Sequence, residues 1–344
     1  MENILEVKNL CVTFRTSGGK LHAVRDISFS LGRGETLAIV GESGSGKSVT
    51  SRAILGILSG NASVEDGEIL FCGKNLLTLG ERELCRIRGD RISMIFQDPL
   101  SSLNPIVKVG RQICEAMLLK GICDRRAAKS RAIRLMEEVG IPEPCLSFDK
   151  YPFEFSGGQR QRIVIAIALA ADPELLICDE PTTALDVTIQ AQILELIERL
   201  KRERGLSVIF ITHDLGVVAS VADKIAVMYA GKIVEYGLCD EIFYEPCHPY
   251  TWALLCSTPD LDTQDRLESI PGVPPNMLNP PQGDAFAERN RYALKIDFEE
   301  EPPFFAVSPT HSAATWLLHP DAPRMEMPEV LRQRIKKMKE ATNG

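Results

Sequence analysis

The sequence predicts an α/β protein: a mostly parallel sheet alternating with helices, an antiparallel β piece before it and a loop-rich appendage after it. Three observations carry that reading. Short, largely apolar runs at 36–40 (TLAIV), 174–178 (ELLIC) and 207–212 (SVIFIT) read as buried strands. Helical spacing follows the first run at Val49–Leu58 and separates the other two at Val187–Arg204, the alternation from which parallel sheets are built. Residues 4–14 alternate apolar and polar side chains as far as Ser17-Gly18-Gly19, after which 22–31 reads as the returning strand of a hairpin.

The remaining elements follow in order. From about 98 to 170 the chain carries several helical segments and little strand signal, which reads as a helical insertion in a core spanning 1–240. Beyond it Pro246, Pro249, Pro259, Pro271, Pro274, Pro275, Pro280 and Pro281 crowd together, arguing against long helices or central strands there. Residues 241–344 are therefore expected to form a separate, loop-rich domain. No motif occurs twice.

Composition bounds the function. The 344 residues are 44% apolar and 25% charged, the balance of a soluble globular protein of about two domains. The longest strictly apolar run, Ile163 to Ala171, has nine residues, whereas a bilayer span needs about 20. The opening Met-Glu-Asn has neither the basic nor the apolar region of a signal peptide, so the chain is expected to stay in the cytoplasm. Ten scattered cysteines, with no Cys-x-x-Cys pair, read as reduced thiols packed as small hydrophobes. A net charge of −8 disfavours nucleic acid as a partner.

The strongest chemical signal is Gly41, Glu42, Ser43, Gly44, Ser45, Gly46, Lys47, Ser48, a full GxxxxGK[ST] match that follows a buried strand and opens a helix at Val49. Glycines let backbone N–H groups converge on an anion, and the helix N-terminus adds partial positive charge. Lys47 would then bridge the β- and γ-phosphates and Ser48 would hold Mg²⁺. Next, the run Glu174 to Glu180 is a buried strand ending in two carboxylates, at the sheet edge where α/β proteins bind ligands. Asp179 suits a Mg²⁺ shell and Glu180 a general base; a solvated Asp-Glu pair is the bland alternative. Finally, Phe155, Ser156, Gly157, Gly158 and Gln159 precede a basic helical segment and offer a second anion-receptive helix start.

In this order the motifs resemble the ATP-binding-cassette ATPases, with the fold of an ABC-type P-loop NTPase core. Walker A is 41–48, the Q-loop is Gln97 and the signature loop is 155–159. Walker B is 175–179, the D-loop is Ala184, Leu185 and Asp186, and the H-loop is His213. Phe14 stands where the family stacks an aromatic on adenine. The resemblance implies catalytic roles for Glu180, His213, Lys47 and Gln97. It implies nucleotide contacts from Phe14, 41–49, Gln97, 156–159, Asp186 and His213, and Mg²⁺ ligands in Ser48, Gln97 and Asp179.

The stretches from Gln97 to Pro105, Val109 to Ile113, His248 to Leu255 and Ile270 to Pro275 narrow the resemblance to the peptide and nickel uptake ATPases. That group implies ATP and Mg²⁺, a second non-identical ABC ATPase, two membrane permease subunits and, indirectly, an extracytoplasmic peptide-binding protein. It implies a peripheral position on the cytoplasmic face of the membrane. Dipeptide or nickel import, and a soluble cassette ATPase without transport, are the alternatives. One departure stands out. Where many relatives have four cysteines for an iron–sulfur cluster, this chain has Asp284, Asn290, Asp297 and Thr315, and no cysteine lies beyond Cys256. Such clusters need thiolates, so none is expected. The appendage is expected to be held by packing of Phe286, Tyr292, Phe298, Phe304, Phe305 and Trp316, with Asp284 and Asp297 either solvated or an oxygen-rich metal site.

Overall fold

The computed structural model describes residues 2–183, 185–257 and 270–342, so Ala184 and Pro259 lie outside the described residues. The chain divides into two compact units. One contains the segments ending at Ile4, Leu31–Thr36 and Asn75–Ile211; the other contains Leu5–Ser30, Leu37–Lys74 and the chain from Thr212 onward.

In the first unit the strands Ile92–Ile95, Leu175–Asp179 and Ser207–Thr212 lie side by side and parallel, with Ile92 opposite Leu175 and Leu175 opposite Ser207. The last two are buried along their whole length, as expected of apolar strands covered on both faces. Between Ile95 and Leu175 the described residues are helical or irregular. Helix Gly157–Leu169 packs against Val109–Leu119, Arg125–Glu138 and Val187–Arg204. Its Ile163, Val164, Ile165, Ala166, Ala168 and Leu169 are all buried; the C-terminal half, apolar on every side, belongs in a core. Helix Val187–Arg204 has the predicted bounds, since Asp186 caps its first turn and left-handed Gly205 ends it.

The second unit holds most of the predicted hairpin, Asn3–Thr16 and Gly19–Gly32, whose sheet also contains Ala62–Phe71 and Lys74–Asn75. Strand Thr36–Val40 runs parallel to Lys224–Tyr229, which pairs antiparallel with Lys232–Leu238. Two short appendage strands, Ser312–Ala313 and Phe305–Ala306, continue outward from Lys232–Leu238. Helices Pro249–Ser257 and Glu329–Thr342 also belong to the appendage. Tyr250, Trp252, Leu254, Phe286, Leu331 and Ile335 share one buried cluster with Ala38, Val40, Ile225 and Val227.

Packing accounts for only part of the appendage. Phe286 is buried, Tyr292 stands edge-on to Trp252 and Phe305 to Trp316. Phe298 and Phe304, however, are more than half exposed, contrary to expectation, and polar side chains hold several of the turns instead. Carboxylate oxygens of Asp284 and Asp297 accept backbone N–H bonds from Phe286 and Leu294. The Asn290 amide oxygen and the Thr315 hydroxyl accept them from Tyr292 and Leu317. Each of the four positions therefore caps its own turn. Oxygen donors already engaged this way do not fit an iron–sulfur cluster.

Asp284 and Asp297 are buried, not solvated. Burial lifts the Asp284 carboxyl from its ordinary 3.8 to about 7; the Phe286 N–H bond and, less, Lys232 partly offset the shift, and Asp297 and Glu301 reinforce it. The folded state then binds this proton more tightly than the unfolded state, so stability falls as pH rises from about 4 to about 7. Asn at this position cannot ionise yet still accepts the Phe286 bond. The stability advantage of Asp284→Asn over the parent should therefore widen by about 2 kcal/mol between about pH 5.5 and 8. Denaturant titrations at the two pH values check this; a constant gap would refute it.

Candidate functional site

The phosphate-loop part of the site lies wholly in the second unit. Strand Thr36–Val40 delivers the chain to Gly41, and helix Lys47–Leu55 carries it away. Gly41 sits at φ 151°, where a Cβ would come within 2.0 Å of the Met228 carbonyl oxygen. Gly46, at φ 105°, would place one 2.5 Å from the Ala23 oxygen. No side chain caps the helix and no acidic residue occupies its first turn, which leaves a helix N-terminus suited to an anion.

Lys47 is buried, with Nζ donating to the Gly41 and Glu42 carbonyls at 2.7 and 2.9 Å. The Ser45 hydroxyl is buried without a hydrogen-bond partner, an orphaned donor beside a cation and a helix start. A nucleotide phosphate fits these groups. Glu42 is engaged elsewhere: its N–H donates to the Tyr250 hydroxyl at 2.8 Å and its carboxylate meets Arg289 at 2.6 and 2.9 Å. Ser43 and Gly44 complete the loop, and Ser48 and Val49 lie within the helix, which begins at Lys47, two residues before the expected start. Phe14 is half-buried on Asn3–Thr16, opposite Ala62. His213 is exposed just past Ser207–Thr212, before Asp214 caps helix Leu215–Val221.

The acidic part lies in the first unit. Asp179 is the buried last residue of Leu175–Asp179. Glu180 follows at φ 49°, left-handed for a residue with a Cβ, a conformation that costs roughly 1–3 kcal/mol and concentrates at functional sites. Its N–H is tied to the Ile211 carbonyl at 2.9 Å. One carboxylate oxygen accepts Gln97 Nε2 at 2.9 Å and the Thr183 hydroxyl at 3.0 Å. Gln97 and Glu180, 83 residues apart, are thus brought together. Thr183 was missed; its only signal was its place three residues after Glu180. All donors proposed for Mg²⁺, in Ser48, Gln97 and Asp179, are oxygens, the ligand type this hard cation takes.

Residues 155–159 lead into a capped helix start. Ser156 Oγ accepts the Gln159 N–H at 3.3 Å and the Gln159 side chain accepts the Ser156 N–H at 2.9 Å, a reciprocal cap. A Cβ on Gly158 would lie 2.7 Å from Ile189, and one on Gly157 would touch Leu185, so this helix start abuts that of Val187–Arg204. Asp186 spends its carboxylate on the Ile189 N–H at 3.0 Å.

The chain matches a family model described as ABC transporter over residues 24–183. A second model, the C-terminal region of oligopeptide/dipeptide transporters, matches residues 234–296. The chain is 58% identical over 338 residues to the oligopeptide transport ATP-binding protein OppD of Bacillus subtilis, covering 97% of this chain and 94% of that one. It is 58% identical over 342 residues to the dipeptide transport ATP-binding protein DppD of Lactococcus lactis, covering 98% of each. Among solved structures, a dimeric ATP-binding cassette in a post-hydrolysis state with ADP and Pi matches with a TM-score of 0.62 at 27% identity, covering 68% of this chain and 98% of that one. CbiO1 of Clostridium perfringens, part of an ABC transporter complex, matches with a TM-score of 0.62 at 29% identity, covering 71% and 92%.

Proposed function

This chain belongs to the ABC transporter ATPases, and we propose on that premise that it hydrolyses ATP to drive oligopeptide uptake through separate membrane subunits. The observation that carries the reading is the phosphate cradle at 41–48 in a chain whose residues 234–296 match the oligopeptide/dipeptide transporter C-terminal region. Dipeptide import is the second reading, supported by the equal identity to the Lactococcus lactis dipeptide protein. No described helix is long and apolar enough to cross a membrane, so the proposal requires membrane partners. It places the chain against their cytoplasmic side.

Lys47 takes the β/γ-phosphates and Phe14 the adenine; Ser48, Asp179 and Gln97 would hold Mg²⁺, which would neutralise phosphate charge. Glu180 orients and deprotonates the attacking water; Gln97 and Thr183 hold the carboxylate in place for that. His213 contacts the γ-phosphate. The signature helix start at Ser156 serves the nucleotide of a second, non-identical ATPase, whose own signature serves Lys47. ATP then joins the two subunits, and loss of the γ-phosphate releases them.

Ser156→Arg tests the arrangement. It places a long cation at the helix start, and loss of the cap costs about 1 kcal/mol. In the reconstituted complex, nucleotide trapping at the partner's phosphate loop should fall at least about tenfold, a loss of about 1.4 kcal/mol, while binding at this chain's Lys47 stays nearly intact. Loss confined to this chain's own phosphate loop would refute the exchange.

A further inference from the structure

The geometry points to Arg289, together with Tyr250, as a positioning residue for the phosphate loop: the C-terminal region holds Glu42 so that Lys47 meets nucleotide in a fixed place. This rests on the reading of 41–48 as the phosphate cradle. Arg289 lies 247 residues after Glu42, and both fall in the same compact unit. Its side chain is only 5% exposed. Nη1 and Nη2 grip the two carboxylate oxygens of Glu42, the paired geometry that gives an Arg–carboxylate contact its directional rigidity. Nε donates to the Pro271 carbonyl at 2.7 Å and Nη1 also to the Tyr229 hydroxyl at 3.1 Å, so the guanidinium cannot turn without breaking several bonds.

The support behind it is aromatic. Tyr229, Tyr250 and Phe286 form a mutually packed trio with centroids 4.6 to 5.3 Å apart. Tyr250 is fully buried and its hydroxyl accepts the Glu42 backbone N–H. Glu42 is thereby a junction. Its N–H and carboxylate are held by the appendage, while its carbonyl accepts Lys47 Nζ at 2.9 Å and the Ser45 N–H at 3.2 Å. Displacing Glu42 displaces the resting place of Lys47 and the turn that carries Ser45. A loop containing three glycines at positive φ is costly to order by itself; holding it ordered beforehand spares that cost when ligand binds.

The test measures equilibrium binding of a fluorescent ATP analogue to the full-length chain, the thermal midpoint, and ATP KM against kcat in the reconstituted transporter. Arg289→Gln and Glu42→Gln should each weaken binding about tenfold, which corresponds to about 1.4 kcal/mol, and raise KM; Arg289→Gln should keep kcat at saturating ATP within about twofold of the parent. The double variant should be no weaker than the worse single one, because both remove one contact. Arg289→Lys should recover part of the loss. Tyr250→Phe, which removes one hydroxyl and conserves the packing, keeps the proposal testable should the charge variants not fold; it should weaken binding severalfold. Affinity and KM unchanged with a lowered thermal midpoint would overturn the proposal and make the pair a staple only. Additive losses in the double variant would overturn it too. Lys47→Ala is the reference: if it leaves binding unchanged, the phosphate-loop reading itself has failed.

Discussion

Glu180→Gln is expected to bind MgATP with near-normal affinity and to hydrolyse it at least about a hundredfold more slowly, the lower end of what a positioned general base contributes. The substitution preserves shape. Gln97 and Thr183 still find an oxygen to donate to, and the left-handed backbone stays anchored through the bond to Ile211. What disappears is the negative charge that takes a proton from water. Single-turnover hydrolysis and retention of labelled ATP by the assembled ATPases check it. Near-parental turnover would remove Glu180 from the reaction and leave its strained backbone unexplained.

Lys47→Ala is expected to weaken ATP binding by about a hundredfold, the scale of a charge-assisted hydrogen bond lost from a water-poor site. Here Nζ bridges the Gly41 and Glu42 carbonyls inside the loop, so the cation is already desolvated when phosphate arrives. Removing it leaves two carbonyl oxygens facing an anion. Titration with a fluorescent ATP analogue measures the effect, and unchanged affinity would show that the loop is not the phosphate site.

Much of this was legible in the sequence for physical reasons. Thr36–Val40 and Ser207–Thr212 have the predicted bounds because both are buried apolar runs closed by glycine or a polar residue. The strand Leu175–Asp179 starts one residue later than read, since Glu174 turns outward to Arg33 and Arg91. Ile92–Ile95 was missed: four residues are too few to show a period. The hairpin Lys224–Tyr229 to Lys232–Leu238 was also missed, since its turn places Ala230 at φ 45° before Gly231 where Asn or Asp is the usual signal. Local structure carried by local spacing was readable: the glycine-rich turn at 41–48, the cap at Ser156, the strand that ends in Asp179 ahead of Glu180. Chemistry carried by long-range contact was not. Nothing local to Glu42 announces Arg289, and nothing local to Asp284 announces its burial.

The most direct measurement is uptake of a labelled oligopeptide into proteoliposomes containing the membrane subunits and the partner ATPase. Parent chain and Glu180→Gln are compared, and Ni²⁺ serves as the alternative cargo. The proposed function predicts ATP-dependent accumulation of peptide with the parent chain, none with Glu180→Gln, and no transport of Ni²⁺. Peptide accumulation that is the same with Glu180→Gln, or accumulation of Ni²⁺ in place of peptide, would contradict it.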